Sequence, residues 1–377
     1  MPKQLLLHLG HDKTGSSYLQ TVFASSSELL LNQGIFYPAY TCGVAKAIQG
    51  HISSGNIDQK DEVIEIALKA ELDCPQAKRL LLSNEHLYYR LLNGSLDLRP
   101  CLESGYRISA LLFIRDPVEH FFSGYSQLVK RGGETRDISA LTSAYNTPAD
   151  VIQVLRELDR LEVAVTVVNY SRHRDALLEK AAQWLEVSPS VLIDAKDAIV
   201  NRSLTHSESK LQKLFSEYFG KESSAFISDP LCNELPRVEP DIPEIPAKNL
   251  DQMLDNIRPA VQKVNSMISK SEHYQLESPK ASHGPAESAN SNYQFSEEQL
   301  EVLTQAISAA MERGRTAERT LSSLAARVIE LRDLALEMEK RGDYSQALVL
   351  MQICKILRPN GPVINKKVQH YQRRLKI

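Results

Sequence analysis

A chain of 377 residues, 42 % hydrophobic and with a formal net charge of −3, is long enough for two domains and apolar enough for a full core. That balance, with no dense basic run and no segment of membrane-spanning length, excludes nucleic acid as an expected partner and predicts no membrane span. The five cysteines (Cys42, Cys74, Cys101, Cys232, Cys354) are scattered, odd in number and without CxxC spacing, so neither a disulfide framework nor a zinc site is expected, and a reducing cytoplasmic setting is. No leader pattern precedes the first strand.

Residues 5–23 read LLLHLGHDKTGSSYLQTVF: an apolar strand, a polar loop bounded by glycine, then an amphipathic helix. A helix that begins just after such a loop aims unpaired backbone N–H groups and the positive end of its dipole at it, which suits a phosphate or sulfate. Lys13 adds a charge, Gly15 gives turning freedom, and Thr14, Ser16 and Ser17 add hydroxyl donors. A Walker A loop would place lysine after the glycine, in Gly-Lys-Ser/Thr; here Lys13 precedes Gly15.

Further strands are expected at residues 79–83, 108–114 and 163–169, separated by helical patterns at 17–31, 62–72, 117–131, 149–158 and 174–185. The alternation predicts βαβ units with right-handed crossovers, hence an α/β three-layer sandwich around a mostly parallel sheet. Residues 107–131 read RISALLFIRDPVEHFFSGYSQLVKR. Asp116 is placed to cap the helix, with Pro117 at its first position and Glu119 completing a capping box. Arg115 then stands at the carboxyl end of a strand, where open parallel sheets gather ligands, and Ser123 stands two turns into the next helix. Arginine suits a phosphate because its planar fork binds two oxygens and stays charged.

Lys13-Thr-Gly-Ser-Ser resembles the 5′-phosphosulfate loop of sulfotransferases that use 3′-phosphoadenosine 5′-phosphosulfate (PAPS), and Arg115 with Ser123 eight residues on resembles their 3′-phosphate site. The chain thus looks like a bacterial-type sulfotransferase of the P-loop type. Residues 30–38, 79–87, 167–185 and 201–209 resemble lesser features of the same family, and the likeness covers about residues 1–275. It implies transfer of a sulfuryl group from PAPS to a hydroxyl or amine, without a metal. It implies Lys13 on the leaving phosphate, Thr14, Gly15, Ser16 and Ser17 around the phosphosulfate, and Arg115 with Ser123 on the 3′-phosphate. Arg202 and Ser203 are the late polar residues that would close over the nucleotide, and Lys130, Arg131 and Arg136 would add positive potential. Glu85 is the first choice for the base that takes the acceptor proton, with His86 beside it; His8 and His11 follow. A late Arg-Lys-Gly element is missing, which turns the implied acceptor from small phenols towards a glycan or glycolipid.

Residues 276–296 carry few large apolar side chains and read as a linker, leaving residues 297–377 as a helical region. Within it, Leu331, Leu334, Ala335, Met338, Gly342, Tyr344, Ala347, Met351, Cys354 and Pro359 fall at the spacing of one tetratricopeptide-like repeat, about residues 328–361. One repeat cannot bury its own face, so this α-helical hairpin extension is expected to pack on the catalytic domain, to self-associate or to bind a protein partner. Two other functions compete: a P-loop phosphotransferase, which needs a strand-end acid for Mg²⁺ where Arg115 stands, and an inactive scaffold acting through its C-terminal repeat.

Overall fold

The computed structural model describes residues 3–48, 55–195, 202–277, 294–316 and 321–376. Among them, five strands form one sheet: β1 (Gln4–Gly10), β2 (Ile35–Phe36), β3 (Arg79–Ser83), β4 (Arg107–Ile114) and β5 (Ala164–Asn169). Their order is β2-β3-β1-β4-β5, and every pairing is parallel, with Leu7 opposite both Leu82 and Ala110. The sheet is therefore parallel throughout. The two-residue strand β2 went unseen in the sequence because it is too short to show any alternation.

Residues of the central strands β1, β3 and β4 alternate between two buried faces. Leu5, Leu7, Leu9, Leu80, Leu82, Ala110 and Leu112 face one helical layer, packed by Val63, Leu87, Leu91, Val154, Leu158 and Val261. Leu6, Leu81, Leu111 and Phe113 face the other, packed by Leu19, Val22, Phe23, Ala181 and Leu185. Burial on both faces explains why the strands read as continuous apolar runs. The α/β three-layer sandwich follows, with β1 at its centre.

Three helices matter for the site: α1 (Ser16–Ser25) after β1, α2 (Glu85–Leu92) after β3 and α3 (Pro117–Gln127) after β4. The predicted helix at 17–31 is two helices, Ser16–Ser25 and Ser27–Asn32, broken at Ser26, whose hydroxyl accepts from the Ile193 N–H at 2.7 Å. The expected capping box of α3 does not form. The Asp116 N–H donates to Ser171 Oγ at 3.0 Å, and Asp116 Oδ1 accepts from Asn169 Nδ2 at 2.8 Å, tying the start of α3 to the end of β5.

The chain divides into two compact units, one of Met1–Gly124, Ile138–Ile199 and Ile245–Pro279, the other of Tyr125–Asp137, Val200–Glu244 and Lys280–Ile377. The first holds the sheet. The core of the second joins Leu211, Phe215 and Leu231 to the C-terminal helices through Leu303, Leu334 and Leu350. Leu214 and Ile227 share that core, so the apolar positions of this stretch complete the same helical core as the C-terminal residues. Residues 278–293, most of the expected linker, lie outside the described residues.

In the second unit, helices Leu321–Lys340, Tyr344–Leu357 and Pro362–Leu375 follow one another through short turns. Gly342 makes the first turn at φ 80°, and Asp343 caps the next helix through the Gln346 N–H at 3.1 Å. Ala335 and Ala347 are fully buried, as close helix packing requires. No described helix is long and apolar enough to cross a membrane. Four of the cysteines are buried free thiols, and Cys42 is exposed.

Candidate active site

The crossover direction reverses at β1, with β3 on one side and β4 on the other. A crevice outside the carboxyl ends of these strands is where open α/β sheets bind ligands. Residues 11–15 turn the chain there. Lys13 (φ 64°) and Gly15 (φ 84°) both take left-handed backbone conformations. Alternation of left- and right-handed residues makes a concave row of N–H groups suited to an anion. Gly15 caps α1 without any side-chain bond, so the first-turn N–H groups remain for a ligand. Thr14 is fully buried, and its hydroxyl fixes the loop by donating to the His11 carbonyl at 2.7 Å. Ser16 Oγ is buried without a hydrogen-bond partner, an orphaned donor at the helix start. Lys13 and Ser17 are half-buried.

Arg115, one residue beyond β4, reaches this loop: its Nη1 donates to the Lys13 carbonyl at 3.0 Å. The two sequence motifs, 102 residues apart, therefore meet. Arg115 Nε also lies 3.4 Å from Glu119 Oε2, which accepts from Arg174 Nη2 at 2.9 Å and from Ser171 Oγ at 3.2 Å. Two guanidiniums thus share one carboxylate, leaving net positive charge. Both stand near the Tyr170 ring, at 5.1 and 5.6 Å. Ser123 is half-buried and one turn beyond Glu119, on the helix face that carries Arg115's partner. Beside Gly15, a cavity of about 170 Å³ opens between Tyr18, Tyr170, Arg174 and Leu177.

Glu85 is the first residue of α2, just past the end of β3, with Asn84 as the cap: Asn84 Oδ1 accepts from the His86 N–H at 2.7 Å. Burial, reinforced by the nearby Asp12 charge and opposed by Lys13, pushes the Glu85 carboxyl up to about 7. The His86 ring meets the Gln59 side-chain amide, and partial burial lowers its proton affinity. His8 is a core residue between Phe23 and Phe113; its Nδ1 pairs with Ser83 Oγ at 2.7 Å, and burial pushes it down to about 3. His11 is equally buried and likewise pushed down to about 3, by burial and then by His120.

Arg202, expected to close over the nucleotide, lies in the second unit, where all its donors have partners. Its guanidinium makes two bonds to Glu208, at 2.7 and 2.8 Å, and donates to the carbonyls of Ser203, Leu231 and Leu235. Those five bonds use up the donors that would grip a nucleotide. The carbonyl of Ser203 is one of the acceptors, so the pair is a structural knot within the second unit. The neighbouring cations are also committed: Lys130 donates to the Arg202 carbonyl at 3.0 Å, Arg131 to Asp229 at 2.8 Å and Arg136 to Glu134 at 2.7 Å.

The site also contains residues that the sequence did not single out. Asp12 Oδ1 accepts from Tyr89 Oη at 2.9 Å and lies 3.3 Å from His120 Nε2. Burial opposes its ionisation, yet the hydrogen bonds from His120 and Tyr89 and the nearby imidazoles hold it well below the usual carboxylate range. Arg174 likewise emerged only in space. The available signal was position: His120 and Tyr89 fall in the opening turns after β4 and β3, and Asp12 in the loop after β1.

No family model matches the chain, and no curated protein sequence is similar to it. A crystal structure of a sulfotransferase from Alicyclobacillus acidocaldarius is 14 % identical with a TM-score of 0.37, over 71 % of this chain and 96 % of that one. So slight a likeness carries no argument about activity, which rests on the residues above.

Proposed function

We propose that the first unit is a sulfotransferase that moves a sulfuryl group from PAPS to a hydroxyl or amine, with a glycan or glycolipid as the acceptor class. The observation that carries the reading is the bond from Arg115 to the Lys13 carbonyl, which puts a guanidinium beside an anion cradle at a helix N-terminus. A donor with phosphates at both ends of one ribose calls for two such anion sites side by side. The orphaned Ser16 Oγ and the left-handed turns at Lys13 and Gly15 fit the phosphosulfate end. Arg115, with Ser123 near its partner Glu119, fits the 3′-phosphate, while Tyr18 and Tyr170 offer the nucleoside an aromatic wall.

On this reading Lys13 steadies the charge that builds on the leaving phosphate, and the loop N–H groups hold the transferred group in line. Glu85 takes the acceptor proton; a carboxyl poised near neutrality is suited to that task. The phosphotransferase alternative would need an acid at the end of β4 to hold Mg²⁺, where Arg115 stands. Titration of PAP, the desulfated product, into wild type and Arg115→Ala, with ADP as control, tests the reading. PAP should bind far more tightly than ADP, and the variant should lose that preference. Equal affinity for PAP and ADP in wild type would overturn it.

A further inference from the structure

We propose that His11, Asp12 and His120 form a binding site for one first-row divalent cation of the zinc type, held by two imidazoles and a carboxylate. One ligand atom from each of these residues lies within 4.8 Å of the other two. The His11 and His120 rings are 4.4 Å apart, centre to centre, and both residues are buried. Tetrahedral coordination with metal–ligand bonds of 2.0–2.2 Å spaces the ligand atoms roughly 3.3–3.6 Å apart. Asp12 Oδ1 and His120 Nε2 already stand at 3.3 Å.

The second observation is the state of His11. Its Nδ1 lies 2.9 Å from the Asp12 carbonyl, which fixes the N–H there and leaves the lone pair on Nε2. That Nε2 is buried and has no hydrogen-bond partner. A buried acceptor left without a donor is unfavourable, and a cation answers it directly. His120 can be arranged alike: Nδ1 is 3.0 Å from Tyr145 Oη, which can take the N–H, so that a cation replaces the proton that Nε2 otherwise shares with Asp12. Tyr89 donates to Asp12 at 2.9 Å. Each ligand thus has an outer partner that orients it, the arrangement metal sites use. Imidazole ligands favour zinc-type ions over Mg²⁺, and three protein ligands leave a coordination position open.

The site does not rest on the sulfuryl-transfer reading, and its test contains no nucleotide. Full-length protein treated with a chelator is titrated calorimetrically with Zn²⁺, with Mg²⁺ as control, and then with Co²⁺ while its visible spectrum is followed. The expected result is one Zn²⁺ per chain, no Mg²⁺ signal and a tetrahedral Co²⁺ absorption. His120→Ala should abolish the Zn²⁺ and Co²⁺ responses of the site. Tyr145→Phe, which keeps every ligand and removes only the outer partner, should weaken Zn²⁺ binding by about tenfold. It decides the matter if His120→Ala fails to fold. Absence of stoichiometric Zn²⁺ binding in wild type, or binding undiminished in Tyr145→Phe and in any folded His120→Ala, overturns the proposal.

Discussion

Glu85 shows how one residue's surroundings set its chemistry. It opens α2 at the carboxyl end of β3, where burial and the Asp12 charge disfavour its ionised form and Lys13 only partly compensates. A carboxyl whose folded value is raised holds its proton more tightly when folded. Its contribution to stability is therefore full below the ordinary carboxylate range and lost as pH rises through about 7. Glu85→Gln, which cannot ionise, should match wild type in urea unfolding at pH 4. By pH 8 it should be the more stable by up to about 3 kcal/mol, since each tenfold rise in proton affinity is worth about 1.4 kcal/mol. Equal stability of the two proteins across that range would mean that Glu85 is not held near neutrality and is no special base. The choice between Glu85 and His86 was open in the sequence, since adjacent residues share a position but not an environment; the charge of Asp12 acts on Glu85, while His86 turns to Gln59.

At the scale of the element, the loop after β1 depends on backbone geometry more than on side chains. Gly15 sits at φ 84°, and a Cβ there would meet Leu177 Cδ1 at 2.8 Å and Tyr170 Cε2 at 3.0 Å. Gly342, at φ 80° in the second unit, has nothing within 4 Å of its would-be Cβ. Alanine at either position should cost about 1–2 kcal/mol through the left-handed backbone alone. Only Gly15→Ala should also lower PAP affinity, by more than about tenfold, because the cradle would shift as Leu177 and Tyr170 give way. Calorimetry on both variants checks this; PAP affinity untouched in a folded Gly15→Ala would remove the loop from the nucleotide site. The loop, the four longer strands and the Arg115 position were legible in the sequence because apolar runs, glycine and proline report local structure. The Asp12–Tyr89–His120 contacts were not, because they join three elements and no spacing along the chain encodes them. The capping box at Asp116 misled for the same reason: β5 and Glu119's cationic partners compete for groups that local rules assign to the helix start.

On the scale of the whole chain, two cores divide the work, and Arg202 belongs to the second of them. In sequence it stands among polar residues that could have closed over a nucleotide. In space its guanidinium, 4 % exposed, is paired with a fully buried Glu208 carboxylate that also accepts from Gln299 at 2.8 Å, at the start of a C-terminal helix. Removing one member of such a pair leaves a buried charge uncompensated, at a cost of about 3–5 kcal/mol. Arg202→Met should therefore destabilise the protein by that amount in urea unfolding and yet leave PAP affinity unchanged wherever it is folded. Arg202→Met combined with Glu208→Leu removes both charges and should recover much of the loss, giving a large coupling between the two sites. Lowered PAP affinity in the folded double variant would return Arg202 to the nucleotide site. Unchanged affinity with a large coupling would make the pair a fastening of the helical core, and would leave Lys13, Arg115 and the loop N–H groups as the donors on which anion binding depends.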